Sequence, residues 1–492
     1  MDTTEIAVIG AGPAGVSAAV AAARAGAKVV VIDEGARAGG QFFRQPASPP
    51  NGATPETLRQ HFTRGRELLD GLSHPNITIR SETVVWNITP KRQLFLNRAD
   101  GPPKLQANRV ILATGATERV AAFPGWALPG VMTVGATQSL FKSQGLIPAG
   151  RVVLAGSGPL LLAAARQLVE AGAKVVGVFE ATRFSRWLRR AARFQNHRDR
   201  ALEGFDHWQR LRAAGVPFQF GRAVTRAEGD NVETQHAAST ASVRRAAVSR
   251  VSEEWRPVPG TEKTVEADVV CVSFGFIPAT ELARLAGCAH RFDPLVGAFV
   301  TETNETLETS LAGIFAAGEV RGIGGAEAAL AEGHIAGLGA ARSLGYKVSE
   351  AELAEARAPQ SRHRAFAAAL ADLFAVQPGL SDFADDGTTV CRCEEVTAGE
   401  LREAARSGAI TLNALKAWNR CGMGLCQGRM CAPIAAQIVA AEIGVSPASV
   451  GVFTARPPIK PVPLGIVGIV EDPRPTGPAM EDHVGYGRAV IR

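Results

Sequence analysis

The strongest constraint on this chain is a structural unit that it uses twice. Residues 5–34 read as a buried strand (IAVIG), a glycine-rich turn (GAGPAG), an alanine-rich helix and a second buried strand (KVVVIDE). Residues 150–180 repeat that order, with GSGPLLL as the turn. Strands apolar along their whole length belong to parallel sheets covered on both faces. The repeat therefore predicts an α/β chain with two dinucleotide-binding domains, the second inserted in the first.

In the first turn, Gly10 makes the tight bend, Gly12 lets a pyrophosphate approach the backbone, and Gly15 lets helix and strand pack closely. Pro13 and Ala14 complete the turn and open the helix, whose free N–H groups and positive dipole end face the phosphates. Asp33 follows at the end of the second strand, where a carboxylate accepts the ribose hydroxyls; Glu34 is the alternative. The second turn supplies Gly156 and Gly158, but Leu161 stands in place of the third glycine. Glu180 takes the ribose-acid position and would repel a 2′-phosphate, which favours NAD over NADP. Whether that site still binds a nicotinamide nucleotide, or has kept only its fold, stays open at this point.

Seven cysteines sharpen the reading. Cys271 and Cys288 are isolated and read as core residues. The other five fall between 391 and 431, a concentration that points to a metal rather than to disulfides. Cys391 and Cys393 form CxC; Cys426 and Cys431 form C-x4-C. Two close pairs can supply the four thiolates of a two-iron, two-sulfide cluster, with Gly422, Gly424 and Gly428 letting backbone N–H groups reach the sulfides. Tetrahedral zinc is the alternative, although its usual spacing is CxxC. Cys421 is a fifth thiol, read as a neighbour of the cluster, with ligand exchange as the other possibility.

Charge narrows the partners. Lys+Arg minus Asp+Glu is 53 − 47 = +6, spread unevenly, with a basic stretch at 183–200 that reads as a solvated helix face. No nucleic-acid recognition motif accompanies it, so nucleic acid is not an expected partner. No apolar run reaches the roughly 18 residues of a membrane span. The acidic opening MDTTE lacks the basic region of a secretory signal. The expected location is cytoplasmic, at most peripheral to the inner membrane.

The order GAGPAG, GGQ (39–41), ILATGA (111–116) and GIFAAGE (313–319) resembles that of flavoproteins of the glutathione-reductase and thioredoxin-reductase type. The resemblance implies FAD on the first domain. Gly40 and Gln41 would lie along it, Thr114 and Gly115 near the flavin side, and Gly318 and Glu319 near the ribityl chain and pyrophosphate. Glu319 stands where that family usually has Asp. The disulfide-reductase chemistry itself is not expected, because the chain has no CxxC.

The C-terminal cysteines, with GMGLCQGRMC, resemble the [2Fe-2S] domain of bacterioferritin-associated ferredoxin. Together with GSGPLLL they are similar to the α subunits of heteromeric FAD-dependent amine dehydrogenases, the group of opine oxidases, D-hydroxyproline and L-proline dehydrogenases and hydrogen cyanide synthase. This resemblance implies Cys391, Cys393, Cys426 and Cys431 as the cluster ligands. It also implies a β subunit that oxidises the amine and room for a small γ subunit. In some members it implies an FMN at the interface between chains. The alternatives are a self-sufficient NADH-dependent flavin/iron–sulfur reductase and a redox-silent scaffold subunit. No residue stands out as a base that removes a substrate proton. The expected domains are 1–148 and 269–345 (FAD), 149–268 (inserted NAD-type), 346–387 (helical linker), 388–445 (a small helical [2Fe-2S] domain) and 446–492 (a Pro-rich tail).

Overall fold

The structure, a computed structural model, describes residues 2–47, 55–97, 103–229 and 242–469. The first repeat forms a parallel sheet in the order Ile77–Arg80, Val29–Ile32, Asp2–Ile9, Lys104–Leu112. The strand Lys104–Leu112 then serves two partners on one edge. Its start pairs antiparallel with Gln93–Leu96, and its end pairs parallel with Ile314–Ala316. The segment 76–97 reads from its alternation as wholly antiparallel. Only Val85–Ile88 and Gln93–Leu96 form that hairpin, whereas Ile77–Arg80 runs parallel to Val29–Ile32.

Two helices, Pro13–Arg24 and Gly325–Ser343, lie against each other on this sheet. Their contact is close because it is built from glycine and alanine. A Cβ at Gly333 would strike the Ala14 carbonyl, and one at Gly337 would strike that of Ala18. Such spacing lets the helix backbones meet at short range.

The second repeat forms a five-stranded parallel sheet in the order Phe218–Phe220, Lys174–Glu180, Arg151–Gly156, Val269–Ser273, Val131–Thr133. Two of these strands lie outside the expected bounds of 149–268. Val270 pairs with Val153 on one side and Val131 on the other, so both crossings between the domains belong to the second sheet. An antiparallel sheet of Arg222–Gly229, Val243–Arg250 and Lys263–Glu266 covers it.

The linker is one long helix, Glu350–Leu373, opened by a capping box of Ser349 and Glu352. The C-terminal module that follows shares a continuous core with the outer sheet: Val390, Leu401, Leu415 and Ile438 join Val224, Ala246 and Trp255. Trp126 Nε1 donates to the Thr389 carbonyl at 2.6 Å across that junction. The tail crosses back to the first domain. Ile459 is buried there and its N–H donates to the Trp86 carbonyl at 3.0 Å. The rest of the tail, from residue 470, lies outside the described residues.

Candidate functional site

The first crevice opens where Asp2–Ile9 ends. Gly10 has φ +103°, and a Cβ there would strike the Ala113 carbonyl of the neighbouring strand. Gly12 caps the helix Pro13–Arg24, and no side chain satisfies the first turn. Those N–H groups and the dipole end face the crevice as an anion seat. Nothing stands closer than 3.9 Å to a Cβ built on Gly12, the nearest atom being Gly40 Cα. Gly40 itself has φ +61°, and its Cβ would sit 2.7 Å from Gly12 Cα. The GGQ loop therefore closes over the turn. Gln41 Oε1 accepts from Arg44 and from Ser139 Oγ at 3.1 Å, which ties the loop to the second domain.

The two acids after the second strand part company. Asp33 turns to the crevice and accepts from the Ala11 N–H at 2.5 Å and the Gly35 N–H at 2.7 Å. Burial outweighs those bonds and raises its carboxyl above the usual range. Glu34 turns outward and pairs with Lys460 of the tail. Thr114 Oγ1 donates to the Ala279 carbonyl at 2.7 Å, and Gly115 follows at φ +75°.

At the other end of the crevice, Glu319 accepts from the Gly324 and Gly325 N–H groups at 3.2 and 2.8 Å. Its extra methylene carries the carboxylate onto the start of the helix Gly325–Ser343. A group absent from the sequence reading governs this corner. Glu332, fully buried, binds Arg321 and Arg364 through Oε1, each at 2.5 Å, and accepts the Gly318 N–H through Oε2 at 2.9 Å. Its one sequence signal is a carboxylate on the inward face of an alanine-rich helix.

The second crevice is built differently. Gly156 and Gly158 take φ +141° and +126°, and a Cβ at Gly156 would strike the Ser273 carbonyl. Leu161 is buried among Leu154, Ala164 and Val178 and fills the space that a third glycine would leave. Glu180 is only 2% exposed. Its carboxylate accepts from the Gly158 N–H at 3.1 Å and the Thr182 N–H at 2.8 Å. Burial pushes its pKa up to about 7. Both of its oxygens are thus engaged inside the protein.

In the C-terminal module the cysteines come from three elements. Cys391 ends the strand Thr389–Cys391, Cys421 follows the helix Leu412–Asn419, and Cys431 starts the helix Cys431–Ile443. Among the described residues, the Sγ atoms of Cys391, Cys421 and Cys431 lie within 4.8 Å of one another and all three are buried. Cys426 is half-buried and lies outside that group of three. Hydrogen bonds from the Cys421 and Cys431 thiols push the Cys391 thiol far down; Gly422 and Glu394 add backbone N–H donors. The Cys431 thiol, with the Met430 and Gly428 N–H groups, brings Cys426 down to about 5. Cys393 is exposed and lies against Gly424. Of the expected ligands, Cys391 and Cys431 are thus brought together; Cys421 joins them, and Cys393 and Cys426 stand outside that group. Gly422 and Gly428 are required for another reason too: a Cβ on either would strike the Phe453 ring, and both have positive φ. Cys271 and Cys288 are buried.

The two sheets, their glycine turns and the inserted order define a flavin-dependent oxidoreductase of two nucleotide-binding domains. The family model described as pyridine nucleotide-disulphide oxidoreductase matches residues 4–333, and the chain belongs to that family, whose fold indicates FAD binding. A second model, the sarcosine oxidase A3 domain, matches residues 387–469. The chain is 35% identical to an opine oxidase subunit of Rhizobium meliloti (strain 1021) over 95% of this chain and 98% of that one. It is 33% identical to hydrogen cyanide synthase subunit HcnB of Pseudomonas aeruginosa over 93% and 97%. The L-proline dehydrogenase structure from P. horikoshii shares the fold at 20% identity and a TM-score of 0.65, covering 94% of this chain and 79% of that one. No helix among the described residues is long and apolar enough to cross a membrane.

Proposed function

We propose that this chain is the FAD- and metal-thiolate-bearing subunit of a heteromeric dehydrogenase. A partner β subunit oxidises a secondary amine or amino acid of the opine, D-hydroxyproline or proline type, and this chain receives the electrons. The observation that carries the reading is that relatives named as subunits of opine oxidase and hydrogen cyanide synthase align with nearly the whole chain, cysteine module included.

The residues fit the groups this reading needs. The uncapped helix start after Gly12 would hold a pyrophosphate, and Asp33 would orient the adenosine ribose. Buried thiols surrounded by backbone N–H donors are the donor set of an iron–sulfur centre. When bound, the flavin supplies two-electron chemistry and the metal centre one-electron transfer. The protein's part is to hold both and to keep the thiols from water. Glu180 makes the same two kinds of hydrogen bond as Asp33 but is only 2% exposed, and that lack of access for a ribose disfavours the self-sufficient NADH reductase.

The test is an anaerobic absorbance titration of the purified chain. The proposal expects NADH and amines to leave the chromophores oxidised while dithionite bleaches them, and bleaching by the amine to appear once the β subunit is added. Bleaching by NADH, or amine turnover by the chain alone, would refute it.

A further inference from the structure

We propose that Arg429 and Glu281 are a positioning pair that sets how far the cysteine loop stands from the flavin side of the first crevice, and with it the rate at which electrons pass between the two. The inference rests on the proposal above, since it needs a flavin in that crevice and a metal centre on that loop.

Arg429 lies between Cys426 and Cys431, and its side chain is 17% exposed. Each nitrogen of its guanidinium reaches a different segment. Nη1 donates to the Cys426 carbonyl at 3.2 Å and Nη2 to the Ile459 carbonyl at 3.0 Å. Nε lies 3.1 Å from Oε1 of Glu281, itself 20% exposed. One planar fork thus joins the cysteine loop, the tail and the first domain. Arginine suits the task because its donors keep a fixed geometry relative to one another.

On the far side of the pair, Glu281 follows Ala279 by two residues. The Ala279 carbonyl accepts from Thr114 Oγ1 at 2.7 Å, and its N–H donates to the Gly115 carbonyl at 3.0 Å. Thr114 and Gly115 are the residues expected near the flavin side. A continuous set of contacts therefore runs from the crevice through Ala279 and Glu281 to Arg429 and the Cys426 carbonyl.

The same short helix, Glu281–Ala286, braces the loop at a second point. Arg284 Nε donates to Thr280 Oγ1 at 3.2 Å, and its Nη1 donates to the Phe453 carbonyl at 2.6 Å. The Phe453 ring in turn fills the space beside Gly422 and Gly428. Two braces from one helix leave the loop little freedom to approach or leave the crevice. The transfer itself moves one electron from the reduced metal centre to the flavin and breaks no bond, the amine oxidised on the partner subunit being its source. Separation is then what the protein controls.

The experiment cuts the link from the first domain. In Glu281→Ala, Arg429 keeps its bonds to Cys426 and Ile459, so the loop keeps its internal support. The full chain is purified anaerobically with its flavin and iron. Flash-reduced deazaflavin supplies one electron, and its equilibration between the flavin and iron–sulfur absorption bands is timed in the wild type, Glu281→Ala and Arg429→Lys. Hydrogen exchange of peptides covering 112–118, 421–431 and 453–460 reads placement independently of electron transfer. Both variants should hold wild-type flavin and iron, exchange faster over 421–431, and equilibrate roughly tenfold or more slowly, since about 1 Å of misplacement can cost on the order of 100-fold. Lysine keeps the charge but cannot hold three acceptors in one fixed geometry, so it should not restore the rate. Wild-type equilibration or exchange in Glu281→Ala would overturn the proposal. So would a wild-type rate in Arg429→Lys, which would show that charge alone suffices, and so would loss of iron from Glu281→Ala, which would make the pair a support of the thiols. A wild type that lacks either absorption band would instead overturn the reading on which the inference rests.

Discussion

Replacing Glu332 with alanine should destabilise the protein and loosen its hold on flavin. The carboxylate is fully buried, and its Oε1 lies 2.5 Å from both Arg321 and Arg364, whose side chains are 18% and 26% exposed. Removing it leaves two guanidinium groups facing each other and strands the Gly318 N–H. Breaking a buried ion pair from one side costs about 3–5 kcal/mol, and the partial exposure of the arginines puts this case near 3. At roughly 2–4 °C per kcal/mol for a domain of this size, melting should fall on the order of 10 °C. Gly318–Arg321 is the turn at the end of the first crevice, so flavin should leave at lower temperature as well. Glu332→Gln keeps an acceptor for the N–H and should fall between the two. Adding Arg364→Met to Glu332→Ala should recover part of the loss, because one unpaired charge goes with it. The sign with pH follows from the same contacts. Burial opposes ionisation, but Arg321 and Arg364 outweigh it and hold the carboxyl below its ordinary 4.5. Its stabilisation is therefore complete above about pH 4.5 and disappears as pH falls through the lower, folded value. Melting followed by circular dichroism and by flavin fluorescence checks both claims. A Glu332→Ala protein that melts within 2 °C or so of wild type, with flavin retained, would refute the reasoning.

Glu180 should show the reverse pH dependence. Burial raises its pKa from 4.5 to about 7, so its contribution is present below pH 4.5 and lost as pH rises through 7, a change of about 3 kcal/mol that Glu180→Gln should abolish. Guanidinium midpoints at pH 5 and 8 measure it, and equal wild-type-minus-variant differences at both values would count against it. Gly40→Ala forces a Cβ into positive φ and to 2.7 Å from Gly12 Cα, a strain of about 1–3 kcal/mol. Flavin Kd, read by fluorescence quenching, should rise roughly tenfold or more; an unchanged Kd would show that the GGQ loop moves freely.

What the sequence disclosed and what it hid divide along physical lines. The two glycine turns are local: strand, turn, helix and acid lie within some thirty residues, and each role follows from backbone geometry at one place. They could be read from residues 5–34 and 150–180 alone. Side-chain direction after a helix end is not local in that sense. Cys421 looks like a surplus thiol in the sequence because spacing carries no information about the left-handed turn at Arg420 that points it inward. Glu332, Arg321 and Arg364 come from a turn and two helices that meet only in the folded chain. Pairing was hidden for a related reason. The strand Ile77–Arg80 has the half-buried pattern of an edge, which parallel and antiparallel neighbours satisfy equally well.

The contacts around the cysteine module bear on how such a protein moves electrons. A module on a flexible tether delivers its metal by swinging; one fixed to its neighbours must serve as a stationary relay. Here the module shares its core with the outer sheet of the second domain and is tied by Trp126 to that junction. Arg284 of the first domain donates to the Phe453 carbonyl at 2.6 Å, and Arg429, three residues beyond Cys426, pairs with Glu281 at 3.1 Å. The same Arg429 donates to Ile459 of the tail at 3.0 Å, and the next residue, Lys460, pairs with Glu34 beside the first crevice. The cysteine loop, the tail and the nucleotide site are therefore linked through consecutive residues. Such an arrangement holds the thiols at one fixed separation from the crevice.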